Sequence, residues 1–354
     1  MFFAGIDAHT RYLVVVIINR MGERVLGPTR VPVRRPEQLL TVLAPYRPLD
    51  AILETSASWP WLHDCLTGSG VTFVLAHARR LRAIAEANYK RDDIDAELLA
   101  RMRLAGLIPE VYPTPPSQRE WATLVRHRTT LVRQRTMLVN RMHGQLHARG
   151  LSVARGHLLT RLGQQWLLDD ALPQLGYEQR ALVRSHLQIL AGLRPLIRAL
   201  DRHIEAVAAT IPQAQLLQTI TGIGAHRALV ICAEVLPISR FPTSGHLTSY
   251  SGLVPRSKQS GERPVRHATI PMAANRWLRG ALVRAVVSHA RHAPDSWLTQ
   301  YYRAQTKRLG WPTARVAAAR KLMRAIHTML RTNTRWTNTR NDPARGELEG
   351  AHAA

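Results

Sequence analysis

The stretch Asn88-Tyr89-Lys90-Arg91-Asp92-Asp93-Ile94-Asp95-Ala96-Glu97-Leu98-Leu99-Ala100 concentrates carboxylates in a chain otherwise crowded with arginine. Ala96 to Leu104 reads as helix, and on a helix Asp92 and Asp95 stand at i and i+3 on one face while Asp93 points elsewhere. Like charges about 4 Å apart repel by roughly 4 kcal/mol at an effective dielectric near 20, so such a pair calls for a cation or a raised pKa. A divalent metal answers that demand. An acidic first turn favoured by the helix dipole is the alternative.

Upstream, Phe2-Phe3-Ala4-Gly5-Ile6-Asp7 reads as an apolar strand meeting an aspartate, with Tyr12 to Asn19 as its hairpin partner. Val25 to Val33 reads as a third strand and Pro36 to Leu43 as a helix opening on Pro-Glu. Ala51-Ile52-Leu53-Glu54 is a buried strand ending on a carboxylate, followed by a helix over Pro60 to Leu66 and a strand over Val71 to Ala76. Three strands, a helix, an acid-ended strand and then alternating helices and strands predict a ribonuclease H-like α/β fold. In that fold the ordered acids Asp7, Glu54, Asp92 and Asp95 converge on metal ions.

The chain has 354 residues, 45% of them hydrophobic, enough to bury a sizeable core in two or three domains. Its formal charge of +25 attracts polyanions before any specific contact forms, which makes nucleic acid the first partner to consider. A membrane surface is the competitor, but no apolar run approaches the roughly 20 residues of a spanning helix. The N-terminal residues lack the pattern of a signal peptide, so a cytoplasmic protein is expected. Cys65 and Cys232 sit in apolar surroundings without metal-ligand or disulfide spacing and read as core thiols.

Beyond the proline-rich connection Pro109 to Pro116, a helix is predicted through Trp121, Leu124, Leu131, Leu138 and Met142. From Trp121 to Leu168 there is no Asp or Glu, whereas Arg126, Arg128, Arg133, Arg135 and Arg141 recur along it. Solvated helices normally mix signs, so a one-signed run of this length points to a phosphate backbone. Trp166 to Leu200 is predicted as further helix, with leucine spacing that fits an antiparallel or an intermolecular coiled coil. Thr221-Gly222-Ile223-Gly224 then separates two helices and resembles a helix-hairpin-helix turn, in which the backbone at Gly222 and Gly224 can approach a phosphate. Ser260 follows in a loop ringed by Arg256, Lys258, Arg263 and Arg266. Cations there would stabilise charge on an attacked phosphate, but no base is evident, and on chemistry alone Ser260-Gly261 is an ordinary turn. Asn275 to His292 and Pro312 to Arg331 read as two more helices, the second carrying Arg315, Arg320, Lys321 and Arg324. Arg331 to Ala354 is polar and is expected to be a disordered tail.

Taken together, Gly5-Ile6-Asp7, Leu53-Glu54-Thr55, Lys90 to Ala96, Thr221 to Gly224, Gly252-Leu253-Val254-Pro255, Ser260-Gly261 and Asn275 through Arg279 resemble the insertion-sequence transposases of the Piv DNA-invertase family. These are the DEDD transposases recognised as bridge-RNA-guided recombinases, and the resemblance spans roughly Phe2 to Arg331. The chain departs from the family pattern at Arg91, where threonine is usual, at the extra Asp93, and at His267 and Ala274, where glycines are common.

The resemblance implies an α/β domain with a RuvC-like tetrad of Asp7, Glu54, Asp92 and Asp95 holding Mg2+ or Mn2+. It makes Ser260 the nucleophile that joins DNA. It also implies double-stranded DNA at the element junction and target, a noncoding guide RNA, a dimer or tetramer, and residence on the bacterial nucleoid. The organisation expected is a RuvC-like domain with a trailing basic helix over 1–145, a helical coiled-coil segment over 146–205, a mainly helical serine-containing domain over 206–331, and a tail over 332–354. Two other readings compete: a RuvC-like junction-resolving nuclease that uses water, and a nucleic-acid-binding protein whose chemistry has decayed.

Overall fold

The computed structural model describes residues 1–84, 92–154, 156–254 and 274–339. The chain divides into two compact units, Met1–Pro116 and Ser117–Ala354.

The first unit grows from a hairpin. β1 (Phe2–Ala8) alternates its side chains between two faces, and β2 (Tyr12–Ile18), rich in valine and isoleucine, pairs with it antiparallel from Phe3↔Ile18 to Ala8↔Leu13. β3 (Arg24–Pro32) adds antiparallel to β2. After helix α1 (Pro36–Leu43), β4 (Leu49–Glu54) enters on the other side of β1 and runs parallel to it. Helix α2 (Trp59–Leu66) leads to β5 (Thr72–Ala76), parallel to β4. Helices α3 (Ala78–Ile84) and α4 (Asp92–Leu104) precede β6 (Glu110–Val111), which closes the sheet antiparallel to β5. The strand order is β3-β2-β1-β4-β5-β6.

Ala4, Ile6, Leu13, Val15 and Ile17 bury one face of this sheet with leucines of α1 and α2. Phe3, Ile18, Ile52 and Val74 bury the other with Leu99, Ala100 and Met102 of α4. The predicted strands and helices appear, with α4 starting four residues ahead of Ala96. α3 and β6 were not predicted by residue, and β6 lies inside the stretch read as a proline-rich connection, because two residues flanked by prolines carry no alternation to read.

The second unit is helical throughout its described residues. α5 (Pro116–His147) and α7 (Tyr177–Ala209) form an antiparallel hairpin within one chain, with Leu131 and Leu138 packed on Leu193 and Ile197. Arg149 bonds Gln179 at the tip, and Arg128 pairs with Asp201 nearer the base. The helix expected from Trp166 onward is broken. α6 (Arg161–Trp166) gives way to a π turn and a 3-10 turn, and α7 starts only after Pro173 and Gly176 have interrupted the helical bonding. Leu190 and Leu193 are buried in the hairpin, whereas Leu182 and Leu196 face outward.

At the base of the hairpin, Val125, Ile204 and Ala208 join a core shared by α8 (Pro212–Gln218), α9 (Ala225–Val235), α10 (Ser244–Tyr250), α11 (Arg276–His292), α12 (Trp297–Leu309) and α13 (Trp311–Thr332). α12, capped by Ser296, is absent from the sequence expectations, since Trp297, Leu298, Tyr301 and Tyr302 make too short an apolar pattern among polar residues. The residues after α13 also differ from the free tail expected. Trp336 is buried against Trp297 and His289, and its backbone N–H donates to Thr219 Oγ1. Residues 340–354 lie outside the described ones.

Candidate active site and nucleic-acid interface

Two of the acids named from sequence meet through strand pairing. The parallel register of β1 and β4 runs from Phe2↔Leu49 to Ile6↔Leu53, so Asp7 and Glu54 follow the last pair side by side. Alternation puts both on the face that carries Gly5 and Ile52, the face covered by α4. A Cβ built on Gly5 would stand 1.7 Å from the Ala96 carbonyl oxygen and 3.0 Å from the Ala100 nitrogen. Glycine therefore lets the helix backbone rest directly on the strand, two residues before Asp7 and beside Asp95.

Ion pairs hold α4 in that seat. At its C-terminal end Arg103 Nε donates to the buried Asp50 at 2.9 Å, and its guanidinium also binds Glu110. Burial alone would lower the Arg103 pKa, but the bond and charge of Asp50, with Glu110, raise it. Nearer its start Glu97 binds Arg24 of β3 and Arg101. Burial works against ionising Glu97, yet bonds from Arg101 and Arg24 outweigh it and hold the carboxyl below its ordinary value. The Arg103–Asp50 pair thus fixes the height of α4 against β4.

The side chains of Asp92 and Asp93 lie outside the described ones, although Asp92 opens α4 one turn before Asp95. Among the described residues no group of three His, Cys, Asp or Glu is gathered closely enough to hold a metal ion. Asp7 carries a partner that sequence spacing does not mark: His9 Nε2 lies 3.0 Å from its Oδ2, and the His9 ring packs on Tyr12. Replacing Gly5 with alanine forces α4 off the strand. Gly5→Ala should cost about 1–3 kcal/mol in thermal unfolding.

The basic helix is less open than its sequence implies. Arg126 donates to Glu234 at 2.5 Å, and Arg128 grips both oxygens of Asp201 at 2.8 and 3.1 Å. Arg133 stands 5.2 Å over the Trp277 ring, a ring that Arg126 and Arg276 also approach at 5.5 and 5.9 Å. Arg135 is half-buried. Arg141 is exposed and, with Arg133, Thr136, Met137 and Asn140, borders a shallow groove along α5.

At the glycine turn the two glycines do different things. Gly222 has φ +90°, and an added Cβ would meet His289 N at 2.7 Å and Ala285 O at 3.0 Å, so it lets the turn lie against α11. Gly224 has open space on its side-chain face. His226 Nε2 lies 3.2 Å from Thr129 Oγ1 and 3.3 Å from the Val125 carbonyl. Burial, reinforced by Arg128 and Arg284, pushes its pKa down from 6.5 to about 4 against the opposing effects of Val125 and Asp201. A histidine depressed on folding lets the unfolded chain take the proton first, so stability is complete above the ordinary pKa and falls as pH drops towards the folded one. Unfolding free energy should decline between about pH 6.5 and pH 4 by up to about 3 kcal/mol. Denaturant melts of His226→Gln should lack that part of the decline, while buried His289, depressed in the same direction, retains its own.

Ser260, Arg256, Lys258, Arg263 and Arg266 lie outside the described residues. The residues flanking that segment are drawn together. Asn275 N donates to the Tyr250 carbonyl at 3.4 Å, and Gly252, at φ +67°, faces Ala274, whose Cβ would be 2.0 Å from a Cβ on the glycine. Asn275 caps α11 through Trp277 N and Leu278 N, and its amide donates to Glu234 at 2.6 Å and to the Tyr250 hydroxyl at 3.2 Å. Glu234 thus joins Arg126 to Asn275, a role that nothing in its local sequence marks.

Residues 4–149 match a transposase family model of the IS110 DEDD type, and residues 214–303 match the family described as Transposase IS116/IS110/IS902. The chain belongs to the IS110/IS116 transposase family. It is 29% identical over 271 residues to the transposase for insertion sequence element IS1111A of Coxiella burnetii, covering 74% of this chain and 72% of that protein. Over 224 residues it is 27% identical to the transposase for insertion sequence element IS1328 of Yersinia enterocolitica, covering 63% and 66%. A third relative, an uncharacterised IS110 protein of Streptomyces coelicolor, is 31% identical over 153 residues, which cover 43% of this chain and 37% of that one. Membership makes the IS110-family chain a DNA-transposing enzyme, and its DEDD domain points to a divalent metal ion. No helix among its described residues is long and apolar enough to cross a membrane.

Proposed function

We propose that this transposase excises and inserts an insertion sequence with an acid site of RNase H/RuvC type and a serine nucleophile, guided by a noncoding RNA and acting as a dimer or tetramer. The observation that carries the reading is the seating of α4 on Gly5. It supports a common site for Asp7, Glu54 and Asp95, with Asp92 one helical turn away. Carboxylate oxygens are the donors that Mg2+ or Mn2+ prefers, so Asp7, Glu54, Asp92 and Asp95 would hold the ion. When bound it supplies neutralisation of phosphate charge and a lowered pKa for a coordinated hydroxyl.

Ser260 fits a transesterification. Its Oγ forms a bond to phosphorus as a sugar oxygen leaves that phosphorus, and the serine proton ends on the departing oxygen. One phosphodiester replaces another, so strands can be rejoined without an outside energy source. The cations Arg256, Lys258, Arg263 and Arg266 suit the charge that builds on phosphorus during attack. A nuclease using water needs only the acids, and the two readings part at the serine.

Asp95→Ala should abolish strand cleavage while its melting temperature holds or rises, because one of several clustered like charges is gone. Undiminished metal-dependent cleavage in that variant would sink the acid site. Ser260→Ala should bind DNA yet leave no covalent protein–DNA species on denaturing gels, and retained cleavage there would favour the water-using nuclease.

The guide RNA is assigned to the outer face of α5 through phosphate contacts. Neutralising Arg133, Arg135 and Arg141 together should flatten the slope of log RNA affinity against log salt, by about 0.7 for each single-strand phosphate that is no longer neutralised. An unchanged slope would move the RNA elsewhere.

A further inference from the structure

Where α5, α9 and α11 converge, the second unit gathers more positive charge than it balances. Thr129 and Val125 hold His226 in the first turn of α9, Gly222 rests on α11 at Ala285 and His289, and Arg133 reaches Trp277 at the start of α11. Arg128 from α5, Arg227 from α9 and Arg284 from α11 meet at this junction, close enough to repel one another. Asp201 is the nearby acid, and Arg128 already occupies both its oxygens. Among the described residues neither Arg227 nor Arg284 has an ion-pair partner.

We propose that Arg227 and Arg284 form a site for a backbone phosphate of duplex DNA, with Arg133 and the Asp201-paired Arg128 at its rim. The inference rests on the reading of this chain as a DNA recombinase and names a contact that the acid site and the serine do not provide.

The geometry suits a phosphodiester. Arg227 uses Nη1 on the Gly222 carbonyl at 2.6 Å, which fixes the guanidinium beside the turn and leaves its other donors for a ligand. Arg284 folds back over Gly280, whose added Cβ would lie 3.6 Å from its Nη atoms, and it remains exposed. α9 has no side-chain cap at Gly224, so the amides of its first turn and the helix dipole add to the same positive field. Space above Gly224 is open, as a polymer's phosphate requires.

Electrostatics agrees with the geometry. Burial first, then repulsion from Arg284 and Arg128, lowers the Arg227 pKa; partial loss of water around Arg284, with Arg133 and Arg128 beside it, does the same there although solvent still reaches that side chain. Cations held together against their own repulsion lose that penalty when an anion arrives. Arginine's planar fork fits phosphate oxygens better than a lysine point charge.

The test uses the full-length protein, a fluorescent duplex carrying the element end, and a single-stranded RNA of equal length, titrated across a range of salt. Arg227→Gln/Arg284→Gln should weaken duplex binding at least about tenfold near physiological salt and reduce the slope of log affinity against log salt by about 0.9 for each phosphate that is no longer neutralised. RNA affinity should stay within about twofold. Arg284→Gln alone leaves the Arg227 bond to the turn intact and should show a smaller loss of the same kind, so a misfolded double variant does not shelter the proposal. Duplex affinity and slope equal to wild type in a folded Arg284→Gln protein would overturn the site alone. A loss confined to RNA would overturn DNA as the occupant. Wild-type protein that binds no duplex at all would overturn both the site and the reading beneath it.

Discussion

Everything in the N-terminal unit depends on one backbone-to-backbone approach, that of α4 to β1 at Gly5. A side chain there would occupy the position of the Ala96 carbonyl, and the helix would have to lift from the sheet. With glycine in place, Ala96 and Ala100 are buried against the strands, and small residues on the helix meet the missing side chain on the strand. The helix is then set in rotation by Glu97 and in height by Arg103, each paired with residues of the sheet. One close contact with two ionic posts thus fixes the helix rigidly against the sheet.

Charge in the helical unit is arranged by the same economy. Beyond Glu120 helix α5 carries no acid, and it would repel itself if its arginines were all solvated on one side. Two of them are neutralised by carboxylates 73 and 108 residues further along the chain, Asp201 and Glu234. These pairs join α5 to α7 and to α9, so arginines that read as ligand contacts also fasten the hairpin to its base. Arg133, Arg141, Arg227 and Arg284 are left with the positive field that a polyanion can use.

The order of elements was legible because strands and helices in this chain carry clear patterns, Val14 to Ile18 as an unbroken β-branched run and α11 and α13 as amphipathic helices. The acids stood out because they are scarce. What could not be read was pairing at a distance. Nothing local says that Asp50 is a buried counter-ion for Arg103, that Gly5 rather than any other small residue is obligatory, or that Glu234 serves two helices. Glycine signals were ambiguous for a related reason: Gly222 and Gly224 look alike in sequence, yet the first is consumed by packing on α11 and the second faces open space. β6 gives no sequence signal because two residues offer no alternation, and α12 gives none because its large apolar residues are concentrated in its first half.

Glu234 shows why such a residue is costly to overlook. It is buried, and its two oxygens are divided between Arg126 on the basic helix and Asn275 at the head of α11. Asn275 in turn fastens Tyr250, so one carboxylate ties α5 to both flanks of the segment that carries Ser260. A buried anion with a single partner would be poorly compensated, whereas two charge-assisted or amide bonds satisfy it. Loss of either partner exposes the other to an unpaired charge, and the coupling therefore runs in both directions. Whatever displaces Arg126 from Glu234 acts on Asn275, on the cap of α11 and on the closure between Tyr250 and Asn275. The arginine that the sequence marks as a phosphate contact is, in the folded chain, also the counter-ion that keeps those flanks together.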